Sequence, residues 1–407
     1  MRLFEQLGTD IDERWKATDF DTRAFPAIAS EALEGSQAIA DLDAFDVVRW
    51  VLDSDELPPQ RNIESMFGEP PVQVYDHPKF VIQVLHWLDG TTAIHQHSFN
   101  GAFHVLAGSS VHSLFQFTET RRVNTAVLLG DVTLMKAEIL ERGATRPILH
   151  GNALIHSLFH LERPSVTVVV RTVSQANDVP QYQYIRPGIA FDSFYKPQLV
   201  RRRIQALTLF SQSGHCDYKD LLQDTLARAD EFTFLQVAIA SLQHMTVPDL
   251  ERRIREAGRA DEAFVDGVCA ALHGLARESQ IVRLRGHYHT PDQRFFLALL
   301  MSFRSAGEMW PLIRARYPDA DPEVLVMRWL KELRGATYST PFSDVAFDDA
   351  TEDVVRLMLG GTPIDEVHNS LRREFDEADV DAHFATVLQI REALQASIFS
   401  PVFTMSA

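Results

Sequence analysis

The spacing of apolar residues changes period twice along the chain. Over residues 1–60 they recur at helical intervals. Phe25, Ile28 and Leu33 form a loose stripe, and Leu42, Phe45, Val48 and Leu52 form a tighter one behind the possible N-cap Asp41. Leu57-Pro58-Pro59 then stops any helix, because proline has no N–H to donate and its ring crowds the preceding turn. From about 60 to 195, short β-rich runs take over: Val72–Tyr75, Phe80–Leu88, Ala102–Ala107, Val111–Phe117, Val132–Ile139, Leu154–Leu161 and Ser165–Thr172. Turn signals separate them, as at Asp89-Gly90, Gly108-Ser109, Gly130-Asp131 and Gly151-Asn152. Seven such runs predict a β-sandwich or a small barrel.

Residues 197–400 return to helical spacing. Val200, Ile204, Leu207 and Phe210 make one stripe, and Phe264, Val268, Leu272 and Leu275 another. Phe295, Phe296, Leu299, Leu300 and Phe303 follow Pro291, and read as core or interface rather than a cofactor box. Leu325, Trp329, Leu330 and Leu333 form a fourth stripe, and Val380, Phe384, Val387 and Leu388 a fifth. The expectation is an all-α region of roughly nine helices with no fixed-period repeat. The chain thus divides into a helical segment (1–60), a barrel (61–195) and an all-helical domain (196–407).

Composition narrows the function classes. The 407 residues carry 56 acidic against 39 basic side chains, a net charge of −17, which disfavours nucleic acid as a partner. The densest basic cluster, Arg201 to Arg203, opens a helical stripe and reads as a solvated face. There is no apolar run long enough for a membrane span, and the N-terminus lacks the apolar core of a secretory signal. Two cysteines, Cys216 and Cys269, do not suggest a disulfide framework, so a cytoplasmic location is expected.

The stretch Gly90 to Gly108 carries the candidate chemistry. His95 and His97 are one residue apart in a β-like run, so both imidazoles point to one face. A third ligand is sought on a later strand, where His156 and His160 stand four residues apart. Strand parity cannot separate these two, since both share one face. His104 should face away from the ligands, and His112 is left undecided. Two further spots, Gly286-His287-Tyr288-His289 and His215-Cys216, have too few companions to read as sites.

The spacing of Gly90, His95, His97, Gly101 and Gly108 resembles the first motif of the cupins, whose glutamate position falls on Gly101 here. His156 fits the ligand of the second cupin motif, with His160 at its asparagine position. Within the cupins the chain is most similar to the cysteine dioxygenase (thiol dioxygenase) group over about residues 60–175. The features shared are IHQH, AFHVLAG and VHSLFQF; Gln60-Arg61-Asn62-Ile63 with the strand ending in Trp87; and IHSLFH before Pro164-Ser165-Val166. Arg171 stands where that family has a tyrosine.

This resemblance implies a β jelly-roll (cupin) barrel, and with the helical periodicity on either side the expected fold is an α+β multidomain chain in which that barrel follows a short helical segment and precedes a large all-α domain that has no counterpart in the family. It implies Fe(II) held by His95, His97 and His156, with dioxygen and substrate at the open positions. Arg61 would pair a substrate carboxylate and Arg171 could assist, while Trp87, Phe103 and His160 would shape the pocket. Ligand type alone does not choose among Fe(II), Zn, Cu, Ni and Mn. A site of three neutral imidazoles keeps the charge of its divalent ion and favours anionic substrates. The expected function is an oxygenase acting with O2 on a small carboxylate-bearing, amino-acid-like or thiol substrate. A metal- or ligand-sensing cupin that regulates through the helical domain is the alternative from another class, and a non-redox isomerase or lyase is the third. The helical domain is expected to cap the barrel mouth, mediate a homodimer, or hold a protein-borne substrate.

Overall fold

Among the described residues of the computed structural model, four helices, α1 (Arg2–Lys16), α2 (Phe25–Glu34), α3 (Gln37–Ala40) and α4 (Asp46–Asp53), precede eleven strands. The strands are β1 (Pro71–Asp76), β2 (Phe80–Trp87), β3 (Ile94–His97), β4 (Gly101–Ala107), β5 (Ser110–Arg122), β6 (Val127–Leu140), β7 (Thr145–Ile148), β8 (Gly151–His160), β9 (Ser165–Thr172), β10 (Tyr182–Ile185) and β11 (Ile189–Asp192). Then come α5 (Gln198–Gln212), α6 (Tyr218–Arg228), α7 (Glu231–Ser241), α8 (Val247–Glu256), α9 (Glu262–Arg285), α10 (Pro291–Ser302), α11 (Ala306–Arg316), α12 (Pro322–Arg334), α13 (Asp349–Leu359), α14 (Ile364–Glu374) and α15 (Glu377–Ala396). The residues described are 1–61, 67–173, 180–334, 349–359, 362–374 and 376–404, so Asn62 and Ile63 of the sequence motif lie outside them.

The strands form two sheets. One has five antiparallel strands in the order β1-β2-β9-β4-β7. The other closes on itself as β10-β11-β6-β5-β8-β3, with Tyr184 of β10 paired to Ile94 of β3. The fold is therefore mixed α and β, with a barrel and many helices in the C-terminal half.

Strand β9 shows how the sequence dictates the layers. It reads SVTVVVRT, and its period of two sends alternate residues to opposite faces. Val166, Val168 and Val170 join Ile82, Val84 and Ala102 under Phe4, Ile11, Trp15 and Phe25 of α1 and α2. Val169 turns the other way, into a cluster with Leu85, Trp87, Phe103 and Leu158. Both faces of this sheet are covered, which is why its strands are apolar nearly throughout.

The closed barrel has a lumen of its own. Ile94, Phe115, Leu128, Ile155, Tyr182, Tyr184 and Ala190 fill it, and all six strands contribute. On β3 and β8, residues beside Ile94 and Ile155 point out of this lumen, toward the five-stranded sheet. The histidine face expected inside a barrel thus lies between the two sheets.

The chain divides into two compact units, residues 1–136 with 140–279, and 137–139 with 280–407. The boundary expected at 195/196 does not coincide with this division. Helices α5 to α8 and much of α9 share one core with the barrel wall, in which Val127, Leu129, Ile185 and Ile189 pack with Leu207, Phe232 and Phe264. Helical periodicity marks a face to be buried, but not the surface that buries it. In the other unit, Phe295, Phe296 and Trp329 are fully buried, with the Phe296 and Trp329 rings stacked at 5.3 Å.

Two expected stripes differ in the structure. Asp41 is the C-cap of α3, and the break after it resets the helical phase, so α4 buries Val47 and leaves Phe45 and Leu52 exposed. Helix α15 buries Val380, Ile390 and Leu394, while Leu388 is exposed.

Candidate metal centre

His95 and His97 lie on β3, and β3 pairs with β8 so that His95 stands opposite His156. An irregularity in the pairing between His95 and His97 shifts the register, and all three rings converge. Their centroids are 4.6 Å (His95–His97), 4.8 Å (His95–His156) and 5.0 Å (His97–His156) apart, and all three side chains are buried. One ring nitrogen from each lies within 4.8 Å of those of the others.

The nitrogen atoms face inward. Nε2 of His97 is 2.9 Å from Nε2 of His156. His95 Nδ1 is 2.8 Å from the Ala93 carbonyl and donates to it, which leaves the Nε2 lone pair turned inward; that buried atom has no hydrogen-bond partner. His97 Nδ1 is also buried without one. A buried polar atom left unpaired costs about 1–3 kcal/mol, so the inward Nε2 of His95, unpaired beside two other imidazoles, asks for a cation or a ligand.

Electrostatics suit ligation. Burial is the first cause that holds the His95 ring below its ordinary pKa. It holds His97 well below, with His95 and Arg171 adding to the effect, and His156 well below, with His95, His97 and His112 adding. Neutral imidazoles offer the lone pairs that a metal requires. The residues present therefore fit a divalent ion held by His95, His97 and His156.

The remaining sequence candidates divide. His160 stays outside the trio: its Nδ1 is 2.8 Å from Ser110 Oγ, and its ring stacks on Trp87 at 4.9 Å. Trp87 donates from Nε1 to Thr167 Oγ1 and lies so close to Gly90 that a Cβ there would collide with the indole. Phe103 comes within 6.2 Å of His156, ring to ring. Arg171 projects from the inner face of β9, its Nε donating to Gln83 Oε1 at 2.9 Å and its guanidinium 5.2 Å from the Phe99 ring. Phe99 in turn packs 4.6 Å from His97. Burial, then the Arg61 guanidinium, lowers the Arg171 pKa, but an arginine keeps its charge. Arg61 is engaged elsewhere: Nε and Nη2 meet Asp76 Oδ1 at 3.0 and 2.8 Å, and Gln73 Nε2 donates to the same oxygen.

His104 faces the other side of β4, its Nδ1 2.9 Å from Thr145 Oγ1. His287 and His289 are exposed, while Tyr288 is buried and donates to the Leu333 carbonyl. His215 and Cys216 gain Asp217 as a neighbour, but all three are exposed and consecutive in sequence.

His112, undecided from the sequence, is a neighbour of the trio that sequence reasoning did not place. Its Nε2 is 2.9 Å from His156 Nδ1, on the outer side of the trio. Its only signal was a buried-strand parity shared with Ser110. Phe67 and Phe99, which pack 6.3 Å from His95 and 4.6 Å from His97, had no signal beyond their aromaticity.

No family model matches the chain, and no curated protein does. Similar solved structures are of the cupin, double-stranded β-helix type. Hydroquinone 1,2-dioxygenase from a Sphingomonas species, with 4-hydroxybenzoate bound, is 14% identical over 26% of this chain and 68% of its own, at a TM-score of 0.22. A cupin-2 domain protein from Shewanella frigidimarina is 11% identical over 34% of this chain and 100% of its own, at 0.20. The polyketide cyclase RemF from Streptomyces resistomycificus is 15% identical over 33% and 78%, at 0.19. At these TM-scores the functional argument rests on the residues of the site.

Proposed function

We propose that this chain is a mononuclear metal-dependent oxygenase in which His95, His97 and His156 hold Fe(II), and that its substrate is a small carboxylate-bearing, amino-acid-like or thiol compound. One observation carries the reading: the 2.9 Å approach of His97 Nε2 to His156 Nε2 beside the buried, unpartnered Nε2 of His95. Bound there, Fe(II) would supply open coordination positions at which substrate and O2 react, because three protein ligands leave the remaining positions vacant.

The chain's own residues perform the rest. The Ala93 carbonyl accepts a hydrogen bond from the Nδ1–H of His95 and fixes which ring nitrogen faces the centre. Phe99, Phe103, Trp87 and Leu158 line the space beside the trio with apolar surface and exclude water. Arg171 holds the substrate anion, its Nε anchored on Gln83 so that the outer guanidinium nitrogens are left for the ligand. Arg61, engaged with Asp76, sets the field rather than the contact. His160, locked between Ser110 and Trp87, shapes the pocket wall.

No described helix is long and apolar enough to cross a membrane, and a cytoplasmic location is part of this proposal. Metal analysis of protein purified without oxygen, followed by O2 uptake over a panel of amino acids and thiols, tests the reading. Iron at one per chain and uptake lost in His95→Ala support it. Zinc alone with no O2 uptake overturns it in favour of non-redox chemistry, and ligand binding without turnover in favour of a sensor.

A further inference from the structure

The three histidines are not held alike. His95 is oriented by a backbone carbonyl and His97 by no hydrogen bond from its Nδ1. His156 is oriented by a side chain, since its Nδ1 lies 2.9 Å from Nε2 of His112. The placement is built into the sheet. Strand β5 pairs with β8 so that Leu114 stands opposite His156 and His112 opposite Leu158. His112 and His156 are thus diagonal neighbours on one face, within reach for long side chains. His112 is buried, and its ring meets Phe103 edge-on, at 5.8 Å and 88°. Water does not compete for the bond at such a position.

The direction of that bond decides what His156 can do. If His112 donated from Nε2, His156 would carry its own proton on Nε2, aimed at His97 Nε2 and the middle of the trio. If His156 donates from Nδ1, its Nε2 lone pair faces the trio. We infer that His112 is the positioning residue of this centre, accepting the Nδ1–H of His156 and so turning the His156 Nε2 lone pair toward His95 and His97. The inference rests on the metal reading above and deepens it. Among the described residues, His112 is the one side chain that performs this service for a member of the trio through a hydrogen bond to its outer nitrogen. Outer-shell partners of metal-binding histidines fix tautomer and ring orientation, and their loss weakens metal binding about 10–100-fold.

The test measures metal affinity, not activity. Zinc and cobalt(II) are titrated in competition with a chelating dye into the wild type, His112→Gln and His112→Leu, with His95→Ala as the blank. Glutamine places an amide oxygen near the imidazole Nε2 position and can accept. Leucine fills the space and cannot. Affinity should fall about 10–100-fold in His112→Leu and stay within a few-fold in His112→Gln. Unchanged affinity in His112→Leu overturns the inference and leaves the metal reading intact. Equal losses in both variants also overturn it, because the lesion would then be one of space rather than of an acceptor. A wild type that binds no more metal than His95→Ala removes the metal reading, and the inference with it. Should His112→Leu fail to fold, nitrogen-15 histidine spectra of the zinc-loaded wild type decide. His112 bare on Nε2, facing the protonated Nδ1 of His156, supports the inference, and His112 protonated on Nε2 overturns it.

Discussion

Gly101 lies against Arg171 across the β4–β9 pairing so closely that a Cβ on it would overlap the Val170 carbonyl oxygen and come within 3.0 Å of Arg171 Cα. This is the position at which the resemblance to cupins expects a glutamate. The obstacle is backbone, which has little room to give. Gly101→Ala should therefore destabilise the chain by about 1–3 kcal/mol or more, as overpacking does. Gly101→Glu should lose the fold rather than add a fourth ligand. Urea unfolding of the metal-free forms measures both, and a Gly101→Glu variant that folds and binds metal more tightly would contradict the close approach.

Removing metal should act on stability through the trio alone. A ligand at 100 times its Kd stabilises the state that binds it by about 2.7 kcal/mol. Wild-type protein stripped by a chelator should thus melt several degrees lower than the zinc-loaded form. His95→Ala should melt at the same temperature with and without chelator. His104→Gln should behave as wild type toward metal, because His104 hydrogen-bonds Thr145 on the opposite face of β4.

The two arginines should differ in what their loss costs. Arg171 sits beside Phe99 and within electrostatic reach of His97, whereas Arg61 is paired to Asp76. A charged hydrogen bond contributes about 1.5–3 kcal/mol, roughly 10–100-fold in binding. Arg171→Gln should raise KM by about that factor with a smaller effect on kcat, on whichever carboxylate supports O2 uptake. Arg61→Gln should change KM by only a few-fold. The reverse order would move the anion site to Arg61.

These contrasts mark what could be read from the chain and what could not. The short β-rich runs located β2, β4, β8 and β9 within a few residues, because strands covered on both faces are apolar nearly throughout and turn signals bound them. The parity of His95 and His97, and the outward placement of His104, are strand geometry and were legible. Parity did not separate His156 from His160, being common to both; the motif resemblance chose His156, and the register against β3 is what sets it opposite His95. His112 was hidden because its contact depends on the β5–β8 register, a long-range quantity. The division of the helices was also illegible. The Val200–Leu207 stripe of α5 gives no hint that it packs on barrel residues such as Leu129 and Ile189.

His86 gives a pH dependence independent of the metal ligands. It sits on the outer face of β2, buried, with Nδ1 3.1 Å from the Pro70 carbonyl and Nε2 3.3 Å from the Ala44 carbonyl. Burial is the larger influence and lowers its pKa from the ordinary 6.5, although the two carbonyls oppose it. The folded protein therefore binds this proton less readily than the unfolded chain. Where the unfolded state binds more protons, stability rises with pH. The neutral ring's contribution is fully present above about pH 6.5 and is lost as the pH falls through the lowered folded value. His86→Gln, which cannot titrate, should lack this component. In urea unfolding of metal-free protein between about pH 5 and 8, the wild type should lose more stability on acidification than His86→Gln. The trio titrates alike in both proteins, so the difference between the two curves isolates His86. A steeper acid loss in His86→Gln would mean that the two carbonyls outweigh burial and that the ring is held protonated in the fold.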